Sequence, residues 1–221
     1  YLKRCLVGGI ERVFEINRNF RNEGADSSHS PEFAMIESYQ AYGDWRDGME
    51  LTRGLVQEAA KAVAGSTTVK HFDGRESDLG GTWDEVSLFD SVSRALGEEI
   101  SAATPFNELL EYAKKVNLSV DPKWIHGKLI EELFEHLVIK TFTKPTFVMG
   151  YPVDTSPLVR NHREIPGVVE KWDLYVDGFE LATGYSELVD PVVQRERLVA
   201  QAQLGAKGDL EAMALDEDFL R

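Results

Sequence analysis

A stretch of two-residue alternation near the amino end constrains the fold of this chain more than any other feature. The residues from Arg12 to Arg21 alternate between a mainly polar face and an apolar face that Arg18 alone interrupts, which predicts a half-buried strand whose polar face looks into a site or into water. A polar loop follows, and a second alternating run begins at Phe33. A returning antiparallel strand would place Arg21, Glu37 and Tyr39 on one face of a sheet. The sequence therefore predicts a strand, a loop and a strand that gather ionic groups on a common surface.

The run YLKRCLVGGIERVFEINRNFRNEGADSSHSPEFAMIE resembles the second signature motif of class II aminoacyl-tRNA synthetases, in the form typical of the lysine-specific branch. A planar, permanently charged guanidinium suits a phosphate, and an aromatic face suits a purine. For an isolated Arg-Asn-Glu tripeptide, a surface ion pair would be the simpler interpretation. The resemblance instead implies these roles: Arg21 as the catalytic ligand of the ATP α-phosphate, Glu23 and His29 as ATP contacts, Phe33 as the ring stacked on adenine, and Glu37 and Tyr39 as part of the lysine pocket.

A second hairpin is predicted around Asp177-Gly178, because this dipeptide between two alternating apolar runs is the strongest short-range turn signal. A two-residue loop would pair Tyr175 with Glu180, and Asp173 with Ala182. Asp173 and Glu180 would then be diagonal neighbours on one face, about 7 Å apart at the backbone. Paired carboxylates of this kind suit Mg²⁺, although two solvated acids on an exposed sheet would show the same pattern. The resemblance implies that Asp173 and Glu180 hold magnesium on the ATP phosphates.

The segment after this hairpin, Gly184-Tyr185-Ser186-Glu187-Leu188, is similar to the second lysine-recognition segment of the same family. The resemblance implies that Glu187 receives the substrate ammonium. The simpler interpretation is that Glu187 caps a helix or pairs with Arg195 or Arg197. Thr183, which we assign to ATP, stands where the family more often has asparagine, and Asp173 is one methylene shorter than the usual glutamate.

The fold class implied by the resemblance is α+β, an antiparallel sheet flanked by helices. Apolar periodicity predicts a helix over 44–64 that ends at Gly65, a hairpin around Asp73-Gly74, and helices over 87–96, 104–116 and 121–139. The resemblance makes residues 1–221 one partial catalytic domain with a helical insertion at about 86–143. It also implies that the glycine-rich third motif, the first motif and the anticodon-binding domain lie outside this sequence, so the piece alone is not expected to aminoacylate.

Composition restricts the cellular compartment and the binding partners of the chain. The single cysteine, Cys5, excludes an internal disulfide framework, and its apolar run predicts a small buried thiol. The sequence has no signal peptide pattern and no long apolar run, which predicts a cytoplasmic protein without membrane contact. A net charge of −14 argues against broad nucleic-acid binding but leaves room for a local tRNA contact near the basic amino end.

The reaction implied by the resemblance is activation of lysine by ATP, with Mg²⁺, to lysyl-adenylate, followed by transfer to tRNA(Lys) in protein biosynthesis. The full-length protein would be a homodimeric aminoacyl-tRNA ligase. Three alternatives stay open: a paralogue that passes lysine to another acceptor, a non-catalytic binding module, and the aspartate or asparagine branch. The acids Glu37 and Glu187 disfavour the last of these, because they would repel an anionic substrate.

Overall fold

Antiparallel hairpins and one mixed sheet, flanked by helices, form the α+β fold that the sequence predicts. The computed structural model describes residues 1–21, 25, 29–206 and 213–220. The chain divides into two units, 1–44 and 45–221. The elements in chain order are α1 (Leu2–Val7), β1 (Arg12–Phe20), β2 (Glu32–Gln40), α2 (Trp45–Ala64), β3 (Thr68–Lys70), β4 (Glu76–Asp78), β5 (Asp84–Ser87), α3 (Leu88–Leu96), α4 (Phe106–Lys115), α5 (His126–Leu137), β6 (Thr146–Met149), β7 (Lys171–Val176), β8 (Phe179–Tyr185) and α6 (Pro191–Ala206).

The first unit contains α1 and the predicted strand pair. β1 and β2 are antiparallel over their whole length, from Arg12 opposite Gln40 to Phe20 opposite Glu32. The pairing continues for one more residue, since the Arg21 amide donates to the Pro31 carbonyl at 3.0 Å. Cys5 lies in α1 and is only half-buried, so the prediction of a buried thiol was wrong.

The second unit is built on a four-stranded sheet in the order β5-β6-β7-β8, with β5 and β6 parallel and the other pairs antiparallel. Alternation along β7 sends Trp172 and Leu174 to one face, where they pack with Trp45 and Met49 of α2. On the other face Tyr175 joins the larger core that α3, α4 and α5 build. The sheet is therefore covered by helices on both faces, and Asp173 faces the same way as Tyr175.

The helix ends largely follow the sequence signals. Ser87 caps α3 by accepting from the Asp90 amide, and Gly97 ends that helix at φ 71°. α5 begins at His126, not at the predicted Asp121. Asp121 instead closes a turn, because its side chain accepts from the Lys123 amide at 2.8 Å. Helices α3 to α5 fall within 86–143, and the assignment of this block as an insertion stays a prediction. None of the helices in the described part of the chain is long and apolar enough to span a membrane.

Gly184 of β8 lies directly opposite Trp172, and this close approach predicts a large effect on stability. A Cβ at this position would lie 2.7 Å from Cε2 and 2.9 Å from Cη2 of the indole. The ring cannot move easily, since Trp172 is buried and its Nε1 donates to the Trp45 carbonyl at 2.7 Å. We expect Gly184→Ala to lower the free energy of unfolding by about 2 kcal/mol or more. Denaturant unfolding measures this directly.

Gly54 provides a matched control for that substitution. It lies at an exposed position inside α2, and a Cβ there would meet no described atom within 4 Å. Gly54→Ala should therefore raise stability by about 0.5–1 kcal/mol through helix propensity. A Gly184→Ala protein as stable as the unsubstituted one would show that the indole is not fixed by its contacts.

Candidate functional site

The β1–β2 hairpin brings the predicted ATP and lysine residues onto one face. Asn19 lies opposite Phe33, and Glu15 lies opposite Glu37, so these positions and Arg21 share the face predicted from the alternation. The Arg21 guanidinium carbon is 5.3 Å from the centroid of the Phe33 ring, a cation–π distance. The structure therefore places the proposed phosphate ligand beside the proposed adenine platform.

Glu37 and Tyr39 are also in direct contact. The Tyr39 hydroxyl donates to Glu37 Oε1 at 2.6 Å, as expected for side chains two residues apart on one strand face. Lys3 of α1 lies over the same tyrosine, with Nζ 5.8 Å from the ring centroid. Glu37 is held in one orientation by this hydrogen bond, which suits a carboxylate that must meet a cation in a defined place.

The two faces of this hairpin are buried in the opposite sense from the prediction. The polar face is largely half-buried, whereas the apolar face is exposed, with Phe14 at 65%, Ile16 at 71% and Phe20 at 73% of their full exposure. The polar face gains cover from α1, which reaches Tyr39 through Lys3, and from hydrogen bonds within the face. The Asn19 amide donates to Asn17 Oδ1 at 2.9 Å, for example. The alternation predicted the faces correctly but not which one is covered.

The loop of the hairpin is described only in part. Glu23, the predicted ATP contact, lies outside the described residues. His29 is within them and is exposed. Both assignments stay predictions.

The second hairpin has the predicted turn. Asp177 and Gly178 both have positive φ, 53° and 78°, which defines a type I′ turn between Val176 and Phe179. Tyr175 lies opposite Glu180, as the two-residue loop requires.

Beyond that pair the predicted register was wrong. Asp173 lies opposite Thr183, not Ala182, because Ala182 is opposite Leu174 and Leu181 is an extra residue on β8. Because of this β-bulge, the residue of β8 that lies opposite Asp173 is one position further from Glu180 than predicted. Asp173, Glu180 and Thr183 still share a face, and the Thr183 hydroxyl donates to the Trp172 carbonyl at 3.3 Å.

That face opens into a cavity of about 150 Å³ between β7, β8 and α5. Its walls are mostly polar, and we refer to it as the carboxylate cavity. Four carboxylates, one ammonium and two phenols line it, together with one phenylalanine: Glu131, Phe134, Glu135, Tyr151, Lys171, Asp173, Tyr175 and Glu180.

Asp173 is the most constrained acid of the carboxylate cavity. It is 3% exposed, and its Oδ2 pairs with Lys171 Nζ at 3.0 Å. Its Oδ1 is buried and has no hydrogen-bond partner among the described residues. The Tyr151 hydroxyl, also buried, lies near Asp173 and Tyr175 without a well-aligned hydrogen bond to either. A buried carboxylate oxygen without a hydrogen-bond donor lowers the stability of the fold, and a bound cation would remove that cost.

Burial dominates the electrostatics of the cavity, and the neighbouring acids add to it. Burial raises the pKa of Glu131 to about 7, although the Thr155 hydroxyl donates to its Oε1 at 2.6 Å and opposes the rise. Loss of hydration, and then the charge of Asp173, raise the pKa of Glu180 to about 7. Glu180 is exposed as a whole residue, so water screens its carboxyl more than that of Glu131. Burial also raises the pKa values of Glu135 and of the phenols Tyr151 and Tyr175.

The carboxylate cavity fits a magnesium ion most of whose ligands are water and nucleotide phosphates. In the described part of the chain, no three Asp, Glu, His or Cys side chains are arranged to hold a metal by themselves. Mg²⁺ commonly takes one or two protein carboxylates and completes its six positions with water and nucleotide phosphates. The free Oδ1 of Asp173 and the carboxylate of Glu180 meet that requirement.

Sequence reasoning assigned only two of the eight lining residues, Asp173 and Glu180, to a site. Lys171 could have been found, because it lies two residues before Asp173 and so shares its face. Glu131 and Glu135 are four apart on α5 and therefore neighbours on one side of it, but the apolar periodicity that predicts this helix gives its acids no role. No local signal pairs α5 with β7, and the contact depends on how the chain packs.

Glu187 follows β8 and is half-buried. It forms an isolated β-bridge with Val159. The two arginines considered as partners have other contacts: Arg195 pairs with Glu217 at 2.7 Å, and Arg197 donates to the carbonyls of Ser156 and Val159. Glu37 and Glu187 belong to different units, so their convergence on one substrate side chain stays a prediction.

Comparison with protein families gives one match that covers the whole chain. The model described as tRNA synthetases class II (D, K and N) matches residues 1–221. This range includes both hairpins and the carboxylate cavity.

Curated relatives also match over the full 221 residues. The chain is 64% identical to a Lysine--tRNA ligase of Kineococcus radiotolerans and 54% identical to that of Mycobacterium tuberculosis, and it covers 44% and 45% of them. It is 48% identical to the Lysylphosphatidylglycerol biosynthesis bifunctional protein LysX of Mycobacterium avium and covers 19% of that protein. The chain therefore spans less than half the length of these relatives.

Proposed function

Because this chain belongs to the class II tRNA synthetases of the D, K and N type, we propose that it forms part of the catalytic domain of a lysine-tRNA ligase. The observation that carries the proposal is its 64% identity, over the whole chain, to a relative with that name. The full-length protein would convert lysine and ATP to lysyl-adenylate and pyrophosphate, and then transfer lysine to tRNA(Lys). We also propose a homodimeric, cytoplasmic protein, as the family resemblance implies.

In the activation step, the lysine carboxylate itself attacks the α-phosphate, so no side chain need act as nucleophile. Arg21 would hold that phosphate in line and stabilise the charge that develops on it. Phe33 would stack on adenine, and its ring lies beside the Arg21 guanidinium that would hold the α-phosphate. Glu23, His29 and Thr183 would complete the ATP contacts.

Asp173 and Glu180 would hold magnesium, as the free buried oxygen of Asp173 supports. When bound, the ion would offset the charge of the ATP phosphates. Asp173 is already fixed by Lys171, whereas Glu180 lies on the bulged strand β8 and is more open to water.

Substrate choice would rest on Glu37, Tyr39 and Glu187. The Tyr39 hydroxyl orients Glu37, and the half-buried Glu187 would provide a second carboxylate for the ε-ammonium. A site built from acids rejects aspartate by repulsion, and it rejects an analogue without the amine because its carboxylates would stay unpaired.

A second candidate function follows from the 48% identity to the LysX protein, whose name includes lysylphosphatidylglycerol biosynthesis. Such a protein would activate lysine with the same residues and differ in the acceptor of the lysyl group.

The acceptor can be tested directly with the full-length protein. Purified protein is incubated with labelled lysine, ATP and Mg²⁺ in three reactions, which contain tRNA(Lys), vesicles of phosphatidylglycerol, or both. We expect label on tRNA without vesicles present. Label on lipid with tRNA and vesicles both supplied would support the second candidate, and lack of label on tRNA would contradict the first.

A substitution in the carboxylate cavity tests the metal assignment. Glu180→Gln should raise the Mg²⁺ concentration needed for half-maximal ATP–pyrophosphate exchange by about tenfold, because a neutral amide replaces an anionic oxygen ligand. Glu132→Gln is the control, since Glu132 lies on α5 but pairs with Lys128 at 2.8 Å and does not line the cavity. An unchanged magnesium requirement in Glu180→Gln would make Glu180 a structural residue.

A further inference from the structure

We propose that Lys171 is the resident counter-cation of the carboxylate cavity and that it limits divalent-cation binding until nucleotide phosphates are present. This inference rests on the proposed magnesium site at Asp173 and Glu180. It concerns a residue to which neither the family resemblance nor the comparisons give a role.

The position of Lys171 is defined by contacts on two sides. Residues two apart on a strand share a face, so Lys171 and Asp173 of β7 both point into the cavity. Nζ lies 3.0 Å from Asp173 Oδ2 and 3.9 Å from the centroid of the Tyr151 ring. The ammonium therefore has an ion pair and a cation–π contact at the same time. Only 21% of its side chain is exposed, so water screens its charge poorly.

The two carboxylate oxygens of Asp173 have different environments. Oδ2 is occupied by Lys171, and Oδ1 is buried without a hydrogen-bond partner in the described part of the chain. A cation would then bind Asp173 through Oδ1 alone, the one-oxygen mode that Mg²⁺ accepts. Lys171 is thus a positioning residue, because it fixes the carboxylate that would hold the ion.

The same ammonium also opposes the ion that Asp173 would bind. A fixed positive charge a few Å from a divalent cation repels it, and the low exposure of Lys171 strengthens that repulsion. Nucleotide phosphates would supply the negative charge that offsets it. The chain would therefore bind a free divalent cation weakly and a cation with nucleotide well, which couples metal loading to ATP binding.

The test is Mn²⁺ binding to the full-length protein without nucleotide, measured from the free Mn²⁺ signal in electron paramagnetic resonance. Lys171→Met removes the charge and keeps most of the length, and Lys171→Arg keeps the charge. We expect Lys171→Met to bind Mn²⁺ at least about tenfold more tightly than the unsubstituted protein, and Lys171→Arg to match the unsubstituted protein. Equal or weaker binding in Lys171→Met, or no binding in any of these proteins, would overturn the inference.

Two further measurements keep the result decisive. An unfolding-temperature scan shows whether Lys171→Met folds. If it folds only when Mn²⁺ is added, that result also supports the inference. If it does not fold at all, Lys171→Gln is measured in its place under the same criteria. Asp173→Asn separates the two proposals. If it removes binding while the Lys171 variants bind alike, the magnesium site stands and the role of Lys171 falls. If it leaves Mn²⁺ binding unchanged, both proposals fall.

Discussion

Replacing Arg21 with alanine in the full-length protein should slow lysine-dependent ATP–pyrophosphate exchange by at least about a hundredfold. The guanidinium would contact the α-phosphate as negative charge develops on it, and loss of such a contact typically has an effect of this size. The fold should survive the change, because Arg21 is exposed and the backbone bond between its amide and Pro31 does not need the side chain. The exchange rate at saturating ATP and lysine is the measurement.

Arg18 is the matched control for this substitution. It lies three residues earlier, on β1, points to the opposite face, and forms an exposed ion pair with Glu32 at 3.1 Å. Arg18→Ala should leave exchange within about twofold, since exposed ion pairs contribute little. Equal rates in the Arg21 and Arg18 variants would remove Arg21 from the proposed phosphate site.

Replacing Glu187 with glutamine should raise the Michaelis constant for lysine by about tenfold or more and leave that for ATP nearly unchanged. The substrate ammonium would still lose its hydration but would no longer meet a full negative charge. Both constants can be measured in pyrophosphate exchange with the full-length protein.

Glu196→Gln is the control for this change, because Glu196 is an exposed acid on α6 close in sequence to Glu187. It should leave both constants unchanged. A parallel rise in the lysine and ATP constants of Glu187→Gln would instead indicate a structural role, and an unaltered lysine constant would argue against lysine recognition by this residue.

Both hairpins could be predicted from the sequence because their signals are local. Alternation over residues 12–21 sets the side-chain faces of β1, and the register with β2 then places Glu37 and Tyr39 on the same face as Glu15. Asp177-Gly178 has the positive φ angles that a type I′ turn requires, and few other residue pairs accept them at low cost.

The errors have a common physical origin in contacts between distant segments. Alternation distinguishes two faces of a strand pair but not which face another element covers, and α1 lies against the polar one through Lys3 and Tyr39. The bulge at Leu181 places Asp173 opposite Thr183 and not opposite Ala182. No glycine or turn residue at Leu181 indicates this bulge in the sequence. Glu131 reaches the carboxylate cavity only because α5 packs beside β7.

The central claim is that this chain belongs to a protein that activates lysine, and amino-acid-dependent ATP–pyrophosphate exchange tests it most directly. Full-length protein is assayed with lysine, aspartate or asparagine at equal concentration, in the presence of ATP and Mg²⁺. The account predicts exchange with lysine and at most background with the other two, because Glu37 and Glu187 favour a cationic side chain. Exchange with aspartate or asparagine at a rate equal to that with lysine, or no exchange with lysine, would contradict it.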